Sequence, residues 1–129
     1  MIGLDTNILI RILVKDDEAQ ANLAMDFIKK NKSLTIINSI VVCELVWVLE
    51  SCYDYSKDEI INCLSHILKI KQFLIPEKEI IRQSLNLYQK TKIDFSDALI
   101  AYKNELENCD YTITFDKQVA KTDLYKLLL

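Results

Sequence analysis

Glycine is almost missing from this chain of 129 residues, which contains only Gly3. Phosphate-cradling loops and dinucleotide-binding turns both need several glycines within a short stretch, so both nucleotide motifs are excluded. Proline is equally scarce, with only Pro76, and no proline-rich or glycine-rich linker is present. Half of the residues are apolar. At this length, one domain over residues 1–129 with a substantial core is expected.

Histidine occurs once, at His66, and the four cysteines form no Cys-x-x-Cys pair. Because the ligand spacing of zinc sites is absent, a zinc site is not expected, and His66 is assigned a structural or surface role. No Ser–His or Cys–His arrangement is visible for covalent catalysis. Cysteines in apolar helical stretches behave as small hydrophobic residues. Free thiols are typical of the reducing cytoplasm, which is the expected location.

Long apolar runs are absent as well. The longest, residues 34–49, is interrupted by Asn38, Ser39 and Glu44 and is shorter than the roughly 20 residues of a membrane span. No basic segment precedes the first apolar run, so neither a signal peptide nor a membrane partner is expected. The net charge of −3 argues mildly against a polyanionic substrate. If four acids held a metal, however, 15 acidic residues would face 16 basic ones.

Short apolar runs alternate with longer stretches of helical periodicity. This alternation predicts an α/β fold, a single three-layer α/β/α domain with a mostly parallel central sheet. The runs typical of buried strands are residues 2–4, 34–37, 73–75 and 111–115, and the pattern allows a short edge strand at 127–129.

The expected helices carry clear local signals. Ser56 and Glu59 have the spacing of a capping box, in which each side chain accepts a backbone N–H of the other residue. A helical face follows at Ile60, Leu64, Ile67 and Leu68. Two further helices are expected to bury the stripes Ala21, Ala24, Phe27 and Ile28, and Ile81, Leu85 and Tyr88.

Four carboxylates lie where an acid is costly unless it binds something. Asp5 and Asp116 are each expected to be the first residue past a strand, and Asp97 to lie in the first turn of a helix. Glu44 lies about five residues into an otherwise apolar helix, where it caps nothing and where burial without a partner is costly. Ligands of parallel sheets bind beyond the carboxyl ends of the strands, and all four acids can project to that edge. Their mutual repulsion would be relieved by Mg²⁺ or Mn²⁺, which prefer carboxylate oxygens.

Each acid also has a simpler explanation. Asp5 and Asp116 could merely cap the helical turns that follow them, and Asp94 with Asp97 could form a capping pair. Glu44 could reach solvent or pair with a buried cation. One shared metal site accounts for all four placements at once, and it is therefore the preferred interpretation.

The sequence around the acids resembles the PIN domain family, and within it the VapC-type toxins of bacterial toxin–antitoxin pairs. The resemblance covers nearly the whole chain, in order and at compatible spacing. The four motifs are Asp5-Thr6-Asn7 after a strand, Glu44 in an apolar helix, Asp94-Phe95-Ser96-Asp97-Ala98, and Thr114-Phe115-Asp116. The chain departs from the pattern after Asp116, where many relatives turn through glycine into a clear last strand.

The resemblance implies a metal-dependent endoribonuclease that uses water to leave 5′-phosphate and 3′-hydroxyl ends. Its acids map onto Asp5, Glu44, Asp97 and Asp116, which would be both catalytic residues and ligands of Mg²⁺ or Mn²⁺. Supporting polar positions map onto Thr6, Asn7, Asp94 and Thr114, and Lys15, Lys117 and Lys121 are candidate phosphate contacts. An RNA substrate, an inhibitory antitoxin and a homodimer are implied by the resemblance alone.

Two other functions stay open at this point. A catalytically inactive PIN-like module could bind RNA or a protein, although such a chain could have lost one of the acids and all four are present. A phosphatase on an α/β sheet is a weaker alternative, because a haloacid-dehalogenase-type site needs an Asp where Asn7 stands. DNA is also open as a substrate, because hydrolysis by a carboxylate-bound metal does not require the 2′-hydroxyl.

Overall fold

The computed structural model describes residues 1–128. By its internal contacts the chain divides into two compact units, Met1–Pro76 and Glu77 onward.

Unit 1 contains a parallel sheet of three very short strands and four helices. The sheet order is β1-β2-β3, and the register pairs Ile2 with Thr35 and Thr35 with Phe73. The bounds are β1 Ile2–Gly3, α1 Thr6–Val14, α2 Glu18–Lys30, β2 Thr35–Ile36, α3 Ser39–Tyr53, α4 Lys57–Lys69 and β3 Phe73–Leu74.

Local signals account for where these helices begin and end. Asn38 accepts the backbone N–H of Val41 at the start of α3, and Ser56 and Glu59 form both bonds of the capping box before α4. Helices α1 and α3 end at Lys15 and Asp54, which adopt the left-handed conformation common at helix ends. The capping box is confirmed, and so is the α4 face, since Ile60, Leu64, Ile67 and Leu68 are all buried.

The α2 stripe is only partly confirmed. Ala21 and Ala24 are buried, and Ile28 is half-buried. Phe27 is 49% exposed, so its assignment to the core was wrong. It lines an open groove together with Leu23 and Ile8.

Unit 2 contains two helices that pack on each other and a pair of parallel strands. Ile81, Leu85 and Tyr88 are buried as expected, and the Tyr88 ring meets Phe95 edge-on with centroids 6.2 Å apart. The bounds are α5 Lys78–Lys90, α6 Phe95–Leu106, β4 Thr112–Thr114, a 3₁₀ turn Val119–Lys121 and β5 Tyr125–Leu127. Strands β4 and β5 pair in parallel.

The α/β class with parallel strands is therefore confirmed. The strands are shorter than the apolar runs suggested, and one residue separates β1 from Asp5 and β4 from Asp116. The last strand lies at Tyr125–Leu127 instead of 127–129, and Leu129 is outside the described residues.

No disulfide joins any of the four cysteines, all of which lie among the described residues. Cys52 and Cys109 are exposed, whereas Cys43 and Cys63 are half-buried. Burial raises the pKa of the Cys63 thiol, with a smaller contribution from Glu59. Across residues 1–128, no helix combines the length and apolarity that a membrane span requires.

Candidate functional site

Asp5 is the N-cap of α1, so the capping explanation of this acid holds in part. Its Oδ1 accepts the backbone N–H of Thr6 at 2.7 Å. Its Oδ2 accepts no hydrogen bond within unit 1, and the residue is exposed. Capping therefore uses one carboxylate oxygen and leaves the other available.

Glu44 is held by the same threonine. The hydroxyl of the buried Thr6 donates to Oε2 of Glu44 at 3.2 Å. Thr6 therefore binds Asp5 through its backbone N–H and Glu44 through its side chain. Glu44 itself is exposed. Two apolar side chains of α3, those of Ile40 and Trp47, are exposed as well.

A cleft of about 420 Å³ in unit 1 contains both acids. One wall is a face of α1 with Asn7 and Arg11, which are four residues apart and so lie one turn apart on the same side. The facing wall of α3 carries Glu44 and Val48 at the same spacing. Asn7, a predicted supporting residue, lines the cleft but makes no side-chain hydrogen bond among the described residues of unit 1.

Sequence reasoning missed the cation in this cleft. Arg11 donates Nε–H to Gln20 at 2.6 Å and an Nη1 hydrogen to Asp16 at 3.0 Å. The Tyr53 hydroxyl donates to the other oxygen of Asp16 at 2.9 Å. Hydrogen bonding with Tyr53 and the charge of Asp16 raise the pKa of Arg11, so the guanidinium is firmly cationic. Asp16 and Tyr53 are 37 residues apart, and no local pattern joins them.

In unit 2, Asp97 is the third residue of α6 and is half-buried. Burial raises the pKa of its carboxyl, and the charges of Asp94 and Asp116 raise it further. The third and fourth motifs thus place three acids close enough to repel one another. Such crowding of negative charge is unfavourable without a cation.

The other two acids of unit 2 differ in their hydrogen bonding. Asp94 occupies the N-cap position of α6, but its side chain makes no capping hydrogen bond, so the expected capping pair is wrong. Oδ1 of Asp116 accepts the backbone N–H groups of Gln118 and Val119, which caps the 3₁₀ turn. Thr114 accepts the backbone N–H of Asp116 at 3.0 Å, and so supports its main chain and not its carboxylate.

Tyr125 is a supporting residue that the sequence did not reveal. It is buried in a small core with Ile93, Ala98 and Val119, and its hydroxyl donates to the backbone carbonyl of Asp97 at 2.7 Å. Burial, with a smaller contribution from Asp97, raises the pKa of Tyr125 to about 12. The hydroxyl is therefore protonated at neutral pH and ties β5 to the first turn of α6.

Comparison with known proteins identifies the family of the chain. A family model described as PIN domain matches residues 2–124. The chain belongs to the PIN domain family. A protein named VapC ribonuclease from Aquifex aeolicus (strain VF5) is 26% identical to this PIN domain over 121 residues, which cover 92% of this chain and 89% of that protein.

The predicted phosphate-binding lysines of this PIN domain are all exposed. Lys15 is the C-cap of α1, in the left-handed conformation, and Lys121 donates to the side chain of Gln118 at 3.2 Å. Lys117 lies in the turn directly after Asp116. Their positions are compatible with contacts to a polyanion, and none of them is buried or held in place by an acid in its own unit.

The donor set of this PIN domain suits a hard divalent cation. Oδ2 of Asp5 and Oε1 of Glu44 in unit 1, and the carboxylate of Asp97 in unit 2, accept no hydrogen bond from described residues of their own units. Oxygen ligands of this kind fit Mg²⁺ or Mn²⁺ and suit softer metals poorly. Among residues 1–128, no group of three or more His, Cys, Asp or Glu side chains is arranged to hold a metal ion.

Proposed function

We propose that this PIN domain is a metal-dependent endoribonuclease and the toxin of a toxin–antitoxin pair. The observation that carries the proposal is the double contact of Thr6, which holds Asp5 by its backbone and Glu44 by its hydroxyl at one cleft. Acids of two separate motifs are thereby held together, and each keeps one carboxylate oxygen that accepts no hydrogen bond within unit 1. The name of the Aquifex aeolicus relative, VapC ribonuclease, supports RNA as the substrate.

In this proposal Asp5, Glu44, Asp97 and Asp116 hold one or two Mg²⁺ or Mn²⁺ ions. When bound, such ions supply Lewis-acid stabilisation of the phosphate and a water that deprotonates near neutral pH. Asp5 and Asp97 are the main ligands. Glu44, fixed by Thr6, orients the attacking water, and Asp116 completes the acid set. The products carry 5′-phosphate and 3′-hydroxyl ends, and no covalent enzyme intermediate forms.

The remaining parts of the proposal concern organisation and partners. Residues 1–129 act as one catalytic domain, in the cytoplasm, as a homodimer that an antitoxin inhibits. The exposed side chains of Ile40 and Trp47 on α3 support a protein partner, because large apolar side chains on a surface are typical of interaction sites. Trp47 is 62% exposed, and tryptophan is among the residues enriched in interfaces.

The test is incubation of the purified protein with a mixed RNA pool in the presence of Mg²⁺, Mn²⁺ or EDTA. Asp5→Asn and Asp97→Asn are compared with Asp26→Asn, which removes an exposed acid of α2 outside the cleft. We expect cleavage that requires metal, leaves 5′-phosphate ends, persists in Asp26→Asn and disappears in the other two variants. Equal cleavage by all proteins would assign the activity to a contaminant.

The alternatives have distinct outcomes in the same preparation. A phosphatase would hydrolyse a chromogenic phosphate ester and leave RNA intact. An inactive module would bind RNA without cutting it under any metal condition. If single-stranded DNA is cleaved as fast as RNA, the assignment of RNA as the substrate is wrong. The proposed metal-dependent hydrolysis would still hold.

A further inference from the structure

The cleft of unit 1 contains a cation as well as two acids. Arg11 lines the wall of α1 on the same side as Asn7, about 6 Å further along the helix axis at 1.5 Å per residue. It is the only cationic side chain among the described residues that line this cleft. Carboxylates that bind a metal ion repel the other phosphates of a polyanionic strand. A fixed cation beside them reduces this repulsion.

The contacts of Arg11 hold its side chain without using all of its donors. A guanidinium carries five N–H groups in a rigid fork. Gln20, Asp16 and Tyr53 are partners for three of them at most. The Arg11 side chain keeps 30% of its surface exposed, and it lines the cleft. A planar fork with free donors is the group best suited to a phosphate.

The network also sets the direction in which Arg11 points. Gln20 on α2 and Asp16 in the α1–α2 connection bind the guanidinium, and Tyr53 at the end of α3 in turn donates to Asp16. A free arginine side chain loses conformational entropy when it binds, whereas this one is already ordered by its neighbours. A positioned cation with spare donors at the edge of a catalytic cleft differs from an ordinary surface ion pair.

We propose that Arg11, held by Asp16 and Gln20, binds a backbone phosphate of the RNA strand next to the scissile bond and so positions the substrate. This inference rests on the proposed ribonuclease function and assigns a phosphate contact on α1 in addition to the three lysines. Arg11 acts on binding of the substrate and not on the chemical step. Its loss therefore raises KM and leaves kcat nearly unchanged.

The experiment measures binding of a fluorescently labelled single-stranded RNA in EDTA, where cleavage is suppressed, over a range of salt concentrations. Arg11→Gln is compared with Arg82→Gln, which removes the chain's other arginine, an exposed residue of α5. We expect Arg11→Gln to weaken binding about tenfold and to reduce the salt slope by about 0.7, the value for one phosphate contact on a single strand. Arg82→Gln should bind as the wild type does.

Asp16→Asn separates a phosphate contact from a purely structural role. The amide of asparagine keeps an oxygen acceptor for Arg11 and removes only the negative charge, so the guanidinium stays held and charged. If Arg11 binds phosphate, Asp16→Asn retains or tightens RNA binding, because a competing acid is removed. If Arg11 only holds the helices together, the loss of the ion pair in Asp16→Asn weakens RNA binding as Arg11→Gln does, and the inference is overturned.

Cleavage assays in Mg²⁺ distinguish this inference from the function on which it rests. If the wild type cleaves RNA and Arg11→Gln shows an unchanged KM, the phosphate contact is wrong and the ribonuclease function stands. If the wild type does not cleave but Arg11→Gln still weakens RNA binding with the reduced salt slope, the contact stands and the catalytic proposal fails.

Discussion

The hydroxyl of Tyr125 donates to the backbone carbonyl of Asp97 at 2.7 Å, across 28 positions of the chain. A strand residue near the end of the sequence thereby fixes the first turn of the helix that carries a proposed metal ligand. The ring of Tyr125 is buried, so the bond lies in an environment where an unmade hydrogen bond is costly.

Tyr125→Phe keeps the ring and removes this bond. We expect a loss of about 1 kcal/mol in the free energy of unfolding. Cleavage should fall as well, because the main chain at Asp97 loses its anchor. Urea titration followed by circular dichroism measures the first effect. Tyr111→Phe, at an exposed tyrosine, is the matched control and should change neither quantity.

Thr6→Val tests the threonine that joins the two acids of unit 1. Valine has nearly the same shape but cannot donate to Glu44, so the carboxylate loses its fixed orientation. Removing such a supporting hydrogen bond typically lowers metal affinity or activity by about 10- to 100-fold. Thr6→Ser keeps the hydroxyl and should recover most of the cleavage rate. A serine variant as inactive as the valine variant would point to packing of the methyl group instead.

These contacts mark the limit of what the sequence could predict. The α4 face was predicted correctly because a capping box and a 3.6-residue period are both local. The positions of Asp5 and Asp97 at helix starts follow from equally local signals. The bonds of Tyr125 to Asp97 and of Tyr53 to Asp16 join distant segments, and no pattern within either segment indicates its partner.

Divalent metal should stabilise the protein against heat. A ligand at one hundred times its Kd stabilises the folded state by about 2.7 kcal/mol, which corresponds to a shift of several degrees in Tm. We therefore expect Mn²⁺ to raise the Tm of the wild type and of Asp26→Asn. Asp97→Asn should lose most of that shift. In EDTA it should be at least as stable as the wild type, since the repulsion from Asp94 and Asp116 is removed. Differential scanning calorimetry checks both statements without an RNA substrate.

The pH dependence of stability should reveal the Asp16 contacts. The hydrogen bond from Tyr53, then the charge of Arg11, holds the pKa of Asp16 below its ordinary value of 3.8. A lowered pKa favours the folded state above the unfolded value, and this contribution disappears as the pH falls through the folded pKa. Unfolding free energies of wild type and Asp16→Asn should thus differ at pH 6 and converge below pH 3.8. A constant difference across that range would contradict the assignment.

The exposure of side chains on α2 and α3 could not be predicted from the sequence, for physical reasons. Periodicity placed Phe27 on the buried face of α2, but it does not show how far the surface opposite the helix extends, and Phe27 lies in an open groove. The run around Glu44 is apolar apart from the acid, and such a run does not show which of its residues are exposed. A helix can also be apolar because part of it faces a partner, and Ile40 and Trp47 remain exposed in the chain by itself.

The exposed thiols of Cys52 and Cys109 lie one in each unit, while the raised pKa of Cys63 makes its thiol a slow nucleophile at neutral pH. The natural sequence thus offers two attachment points for maleimide dyes without any engineered cysteine. A donor and an acceptor fluorophore at these two positions would report the distance between residues 52 and 109 in solution. Energy transfer measured with and without Mn²⁺ or RNA would show whether either one changes that distance.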